Sequence, residues 1–573
     1  MEKIVVIGGV AAGPKSACHA KRLMPEAEIT MIDQDDLISY GGCGIPYYIG
    51  GEVGDENALR QTSFHMVRDE YFFEEAKGLK VKTKCRAIEI NRQEKHVVVE
   101  NLEEQKTETV PYDKLVIATG SQPNILPING VDFKGVYTIG SLHSAINVHK
   151  HLSQGDVDKV VVIGGGAIGI EMAEGIEDMW GLETTIVEFL PRLLPNFIDW
   201  PFAQMLEQHL IESNVDVLTG EGVTGIEGDE EGNVTAVVTN KRKLEADMVI
   251  MAAGVRPRDQ LAKDAGLLVN PKGGIVVNNR MQTSDPDIYA AGDCVQSVSY
   301  VSGKGCFAPL GSLANRQGRV VGDNLAGIPS TFNGISGSFV MKAFEVCIGS
   351  TGLSYESAKK EGFDADMVIT IQSDRAHFLP NQAHMPMIMV FDKSTRKVLG
   401  VQGFGPMGDG VMARINAAAG LIAKGGTIDD FSNLEMAYAP PFSTAVDALN
   451  ATANVADNLC RGRFRQTSIK SFIDWINDPA TQSEWVVLDV RGEGDSKGLV
   501  ENFDGRWLNL PYPEMRKRYQ ELPKDKQLII VCGAGTRSYE VQIFLDSVGY
   551  ENTLVLPGGL MVLRRLGMVE LPE

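Results

Sequence analysis

Two glycine-rich turns, each set between an apolar strand and a helix of small residues, constrain this chain more than any other feature. At the start, Lys3–Ile7 reads as a strand, Gly8-Gly9-Val10-Ala11-Ala12-Gly13 as the turn, and Ala11–Met24 as a helix. Glu28–Ile32 reads as a second strand, closed by Asp33. The unit begins again at strand Lys159–Ile163 and passes through Gly164-x-Gly166-x-x-Gly169 and a helix to Met179. It ends on strand Thr184–Val187 and Glu188. In such a βαβ unit one glycine makes the tight turn, one lets the backbone approach a pyrophosphate, and one packs helix on strand. The phosphates rest at the helix N-terminus, where unpaired N–H groups and the dipole favour anions. Val10 stands where the second copy has Gly166, so the second fingerprint is the complete one. Glu188 is placed to bind both ribose hydroxyls of an adenosine and to repel a 2′-phosphate, which favours NADH over NADPH.

Two nucleotide units in one chain imply two dinucleotides, and the length leaves room for more. At about 150 residues per domain, 573 residues predict three to four domains. The 61 glycines follow no three-residue period, so collagen is excluded and tight backbone approaches explain them. The net charge of −21 gives no general attraction for nucleic acid or anionic lipid. The eight cysteines form no CxxC, so zinc ribbons and thioredoxin-type dithiols find no support, and no metal site is expected. Their wide spacing fits cytosolic thiols. With no cationic leader before Ile4-Val5-Val6-Ile7 and no apolar run long enough for a membrane span, a cytoplasmic protein is expected.

Further strands end in Ala118-Thr119-Gly120, Ala253-Gly254-Val255-Arg256-Pro257 and Ala290-Ala291-Gly292-Asp293. Taken in order with Gly8–Gly13 and Gly164–Gly169, these motifs resemble the two-dinucleotide flavoprotein disulfide reductases over residues 1–450. The resemblance implies an α/β chain with two Rossmann-like domains and an α+β dimerisation domain, hence a homodimer. The FAD domain would span 1–116 and 253–326, the NAD domain 117–252 and the dimerisation domain 327–450. It places Asp33 on the FAD adenosine ribose and Asp293 at the ribityl–phosphate region. Gly8, Gly13, Thr119, Gly120 and Gly254 complete the cofactor-binding set.

Most disulfide reductases carry a CxxxxC pair beside the flavin. The stretch Ser39-Tyr40-Gly41-Gly42-Cys43-Gly44-Ile45-Pro46-Tyr47-Tyr48-Ile49-Gly50 has one cysteine. It resembles the single-cysteine branch of coenzyme A disulfide reductases, NADH oxidases and NADH peroxidases, and stands nearest the first of these. Gly42 replaces the usual asparagine. A single cysteine cannot form an internal disulfide, so oxidised Cys43 must hold a substrate sulfur, a persulfide or a sulfenic acid. Coenzyme A needs cationic contacts for its phosphates. The resemblance puts Lys21, Arg22 and Ser39 at that site, while a solvated helix end explains Lys21 and Arg22 equally well. Tyr438-Ala439-Pro440-Pro441-Phe442-Ser443 resembles the dimer-domain motif whose tyrosine reaches the partner's redox cysteine, where a hydroxyl protonates or stabilises a leaving thiolate. A Pro-rich turn with a packed aromatic is the plainer alternative. The second tyrosine common in the family is missing from Ala376–Pro380.

Beyond a basic linker at 451–466, residues 467–573 read as one more α/β domain. A helix around Ser468–Asn477 and strand Trp485–Leu488 lead into Asp489-Val490-Arg491. Strand Gln527–Val531 runs into Cys532-Gly533-Ala534-Gly535-Thr536-Arg537-Ser538 and a helix. A cysteine at such a turn lies in a ring of backbone N–H groups that stabilises a thiolate or persulfide. Asp-x-Arg followed by Cys-x4-Arg resembles rhodanese domains, whose loop is tighter than the Cys-x5-Arg loop of cysteine phosphatases. Cys532 and Arg537 are the expected catalytic pair, although the usual Gly-His-Ile segment is absent, which keeps a non-transferring domain open.

These readings predict an NADH-dependent flavoprotein that reduces coenzyme A persulfide, polysulfide or a related persulfide through Cys43. Cys532 carries sulfane sulfur, and coenzyme A serves as bound substrate or cofactor. The alternatives are a coenzyme A disulfide reductase, an NADH oxidase or peroxidase cycling through a Cys43 sulfenic acid, and a redox sensor or scaffold.

Overall fold

The computed structural model describes residues 1–572, which divide into two compact units. The first comprises Met1–Pro191, Asn214–Ser299 and Gly303–Ile335. It holds two parallel five-stranded sheets. One runs Ile288–Ala290, Lys114–Ile117, Lys3–Ile7, Glu28–Ile32, Lys80–Lys82. The other runs Val215–Thr219, Glu183–Glu188, Lys159–Ile163, Met248–Met251, Val136–Thr138. After a leading lysine the central strands are apolar and buried to their ends because both faces are covered, as parallel sheets require. The two glycine turns leave the C-terminal ends of Lys3–Ile7 and Lys159–Ile163, the position at which open α/β sheets bind ligands. A short antiparallel pair, Ser121–Pro123 with Val255–Pro257, carries the chain between the two sheets.

The second unit comprises Arg192–Ser213, Tyr300–Ser302 and Ser336–Glu573. Its five-stranded antiparallel sheet runs Phe339–Ala343, Val346–Gly352, Val398–Pro406, His384–Asp392, Ala365–Ser373. Helices Asp409–Ile422 and Ala448–Cys460 bury its apolar face. A four-stranded parallel sheet follows, ordered Trp507–Asn509, Trp485–Asp489, Gln527–Val531, Thr553–Val555.

Two segments differ from the expected domain limits. Residues 192–213, expected within the 117–252 domain, group with the second unit. Gln402 anchors them there, accepting from the Asp199 amide at 2.8 Å and donating to its carboxylate at 2.6 Å. The expected 451–466 linker begins as helix Ala448–Cys460, and Val455 and Leu459 of that helix pack against the cores of both sheets in this unit. Apolar helix faces, invisible to a boundary drawn on motif positions, explain both. Among the described residues no helix is long and apolar enough to cross a membrane.

Candidate active site

The two glycine turns have the same construction. Gly8 (φ +112°) and Gly164 (φ +115°) lie against the carbonyls of Ala118 and Ala252, where a Cβ would come within 2.1 and 2.4 Å. Gly13 and Gly169 abut the carbonyls of Gly8 and Gly164, at 1.8 and 1.9 Å from a would-be Cβ. No other residue fits these four positions. Gly166 faces open space instead, with nothing within 4 Å of its Cβ direction, so packing within the fold does not require its smallness. The acids that end the second strands are held alike. Asp33 accepts from the amides of Gly9 (2.5 Å) and Asp35 (2.8 Å). Glu188 accepts from Gly165 (2.7 Å) and Leu190 (2.6 Å).

Around the first turn, Thr119 donates to the Arg258 carbonyl (2.6 Å), and Gly120 and Gly254 take positive φ. Asp293 accepts from Ser121 Oγ at 3.1 Å, and burial raises its carboxyl above the usual range. Burial raises Asp33 as well. Two half-buried acids with capacity to accept further hydroxyls, beside a glycine turn at a helix N-terminus, suit a dinucleotide such as FAD. Ser39 is buried in a left-handed conformation (φ 53°), its amide donating to the Gly9 carbonyl. Lys21 donates to the Ala27 carbonyl (2.7 Å) and Arg22 contacts His19, which bonds Asp323 at 2.6 Å. Both basic residues therefore have partners within the fold.

Cys43 lies in a one-turn 3₁₀ helix, Gly42–Gly44, that leads into helix Ile45–Ile49. The residue is exposed. The amide of Gly311, first residue of helix Gly311–Leu325, donates to its sulfur and favours the thiolate. Desolvation, then the carboxylates of Glu171 and Asp293, push the thiol the other way, and the net shift is upward. Segment Glu56–Arg60 closes over this loop, with the Leu59 carbonyl accepting from Gly41 at 2.8 Å. Arg68 holds that segment through the carbonyls of Leu59 and Arg60. Arg60 leaves its buried Nε without a protein partner.

Glu171, Gly311, Arg60 and Arg68 escaped the sequence reading. One signal was available: Glu171 and Glu174 stand in the apolar stretch of the helix soon after Gly169. The other three are contributed by segments with no motif of their own.

In the second unit Tyr438 is exposed on an irregular segment. A buried network braces that segment: Arg414 pairs with Asp447 at 2.6 Å and donates to Ser443 Oγ and the Asp374 carbonyl. The Cys532 loop follows strand Gln527–Val531, with Gly535 N donating to the sulfur at 3.1 Å. Gly535 (φ +92°) opens helix Thr536–Ser547. Gly559 seals the loop from behind, since a Cβ there would meet the carbonyls of Gly533 and Cys532 at 2.5 and 2.6 Å. Arg537 is exposed and flanks Gly533. Asp489 and Arg491 form a buried pair at 2.8 Å, joined by Trp507 Nε1, and so brace the sheet rather than the sulfur.

The pyridine nucleotide-disulphide oxidoreductase family matches residues 2–306, its dimerisation domain residues 340–449, and the rhodanese-like domain residues 469–564. The chain belongs to the pyridine nucleotide-disulphide oxidoreductase family, with a rhodanese domain at its C-terminal end. More particularly, it is similar to a solved structure of an NAD-dependent persulfide reductase from A. fulgidus. Identity is 36%, the TM-score is 0.90, and 98% of this chain and 99% of that one are covered. An NAD(P)H coenzyme A polysulfide/persulfide reductase of Pyrococcus horikoshii is 34% identical over 79% of this chain and 98% of its own length. An NADH oxidase of Enterococcus faecalis is 36% identical over 79% of this chain and 99% of its own length.

Proposed function

We propose that the protein is an NADH-dependent persulfide or polysulfide reductase that uses coenzyme A as substrate or cofactor and works as a cytoplasmic homodimer. One observation carries this reading: a single reachable thiol beside the first dinucleotide turn shares a chain with a second thiol cradled for sulfane sulfur. Identity alone does not decide between reductase and oxidase, since the relatives bearing the two names stand at 34% and 36%. The rhodanese domain supports the reductase, because the persulfide reductase structure aligns over 98% of this chain, including that domain.

FAD, when bound, supplies two-electron transfer from NADH to sulfur. Asp33, Asp293 and the Gly8–Gly13 turn would hold it, with Gly164–Gly169 and Glu188 holding NADH. The Cys43 thiolate, favoured by the Gly311 amide, attacks a sulfur–sulfur bond; one S–S bond forms, one breaks, and an anionic sulfur leaves. Arg60 and Arg68 give a cationic lining for phosphates of coenzyme A, a role for which Lys21, Arg22 and Ser39 are further candidates. Tyr438 of the partner subunit would stabilise the leaving thiolate. Cys532, with Arg537 beside it, would carry sulfane sulfur.

Cys43→Ser is expected to reduce NADH-dependent sulfide release from coenzyme A persulfide to background with FAD still bound. Retained release in that variant would refute the reading. Oxygen consumption far faster than polysulfide reduction by the unaltered protein would favour the oxidase instead.

A further inference from the structure

Strand Glu183–Glu188 ends where the Glu188 carboxylate turns back to the glycine fingerprint, and Phe189 is the next residue. Its side chain is left in the open, 76% exposed. Single exposed aromatics are ordinary on a protein surface, but the backbone under this one is fixed on both sides. The Glu188 carbonyl accepts from the Glu221 amide at 3.0 Å, and the Leu190 carbonyl accepts from the Gly220 amide at 2.9 Å. The ring itself has a seat. A Cβ on Gly222 would come within 3.1 and 3.5 Å of the Phe189 ring carbons Cδ2 and Cε2, so the missing side chain is what makes room for the ring. Asn240 holds that glycine at both ends: its Oδ1 accepts from the Gly222 amide at 3.0 Å, and its own amide donates to the Gly222 carbonyl at 2.9 Å.

We propose that the Phe189 ring, seated on Gly222, is the platform on which the adenine of NADH stacks. The inference rests on the reading of Gly164–Gly169 and Glu188 as the NADH site. A ribose bonded to the acid that closes the second strand carries its base past the end of that strand, and Phe189 is the side chain that stands there. A flat, apolar ring pairs with a purine face through stacking, a contact that changes affinity by about tenfold. Because the backbone and the seat are already fixed, little freedom is lost when the base arrives. The contact touches only the adenosine half of the dinucleotide. Phe189 therefore sets how tightly NADH binds and leaves the rate of hydride transfer from the nicotinamide half unchanged.

The test is anaerobic bleaching of the flavin by reduced nucleotide in the FAD-loaded protein, followed without any sulfur substrate. The dependence of the rate on nucleotide concentration gives a Kd and a limiting rate. Phe189→Ala should raise the Kd for NADH about tenfold at an unchanged limiting rate. Reduced nicotinamide mononucleotide, which lacks the adenosine half, should bleach the variant and the unaltered protein alike. Phe189→Trp restores a stacking ring and should recover the native Kd, with its indole emission quenched by ADP-ribose. Gly222→Val crowds the seat without touching the ring's chemistry and should raise the Kd for NADH but not for the mononucleotide. An unchanged Kd for NADH in Phe189→Ala, or an equal loss with NADH and the mononucleotide, would overturn the platform. If Glu188→Ala weakened NADH binding while Phe189→Ala did not, only the platform would fall; if neither did, the nucleotide site itself would be misplaced.

Discussion

Glu188 is held by the fold at the position where the proposed nucleotide selection would act. Its two oxygens accept from Gly165 and Leu190, on either side of the turn, which fixes the carboxylate at the end of the strand. On the proposed reading, a 2′-phosphate brought to that position would meet a like charge, and selectivity would arise from the repulsion as much as from the bonds to a ribose. Glu188→Ala should therefore raise the KM for NADH while narrowing the NADH over NADPH preference by about 10- to 100-fold, equivalent to ~1.4–2.8 kcal/mol. Steady-state kinetics with both nucleotides reads this. An unchanged ratio would take Glu188 out of nucleotide selection. The residue was legible in the sequence because a glycine fingerprint dictates which position closes the next strand. The contact of Gly50 with Gly175 was not, since no local pattern encodes which helix packs there. Lys21 and Arg22, chosen by residue type as candidates for anion binding, also bond Ala27 and His19 within the fold.

At the scale of elements, the parallel strands and their helices followed from period and burial. Helix Trp200–Glu212 and the last turns of Ala448–Cys460 did not announce the sheet they serve, because an amphipathic face names no partner. The irregular segment carrying Tyr438 depends on such a partner. Arg414 and Asp447 are 3% and 2% exposed, and Asp447 also caps helix Ala448–Cys460 through the Leu449 amide. Removing one member strands the other charge in the core. Arg414→Met should lower stability by about 3–5 kcal/mol, read as a fall in Tm and in the urea midpoint, and should reduce turnover by loosening Tyr438. The partly exposed i,i+4 pair Arg461–Asp457, whose aspartate keeps Arg396 as a second partner, is the control, since Arg461→Met should cost only ~0.3–0.5 kcal/mol. Equal losses in the two variants would mean that the buried network does not brace the segment.

At the scale of the whole molecule, the two thiols proposed to handle sulfur, on separate domains, pose the question of coupling. The Cys532 loop is complete within its own sheet, from the Gly535 amide on the sulfur to Gly559 behind it, so sulfur loading there needs nothing from Cys43. Likewise the surroundings of Cys43 are built from the first unit's own helices. Cys532→Ser in the full chain should thus abolish sulfur transfer from thiosulfate and leave NADH oxidation by preformed coenzyme A persulfide intact. Cys43→Ser should do the reverse. The decisive condition supplies polysulfide with coenzyme A at catalytic concentration, so that the persulfide must be made before it is reduced. If Cys532 makes it, Cys532→Ser slows NADH oxidation here and regains the native rate on adding preformed persulfide. Full-rate oxidation by Cys532→Ser under the catalytic condition would mean that the rhodanese domain serves a separate sulfur pool, and that covalent fusion keeps two activities together without joining them in one reaction path.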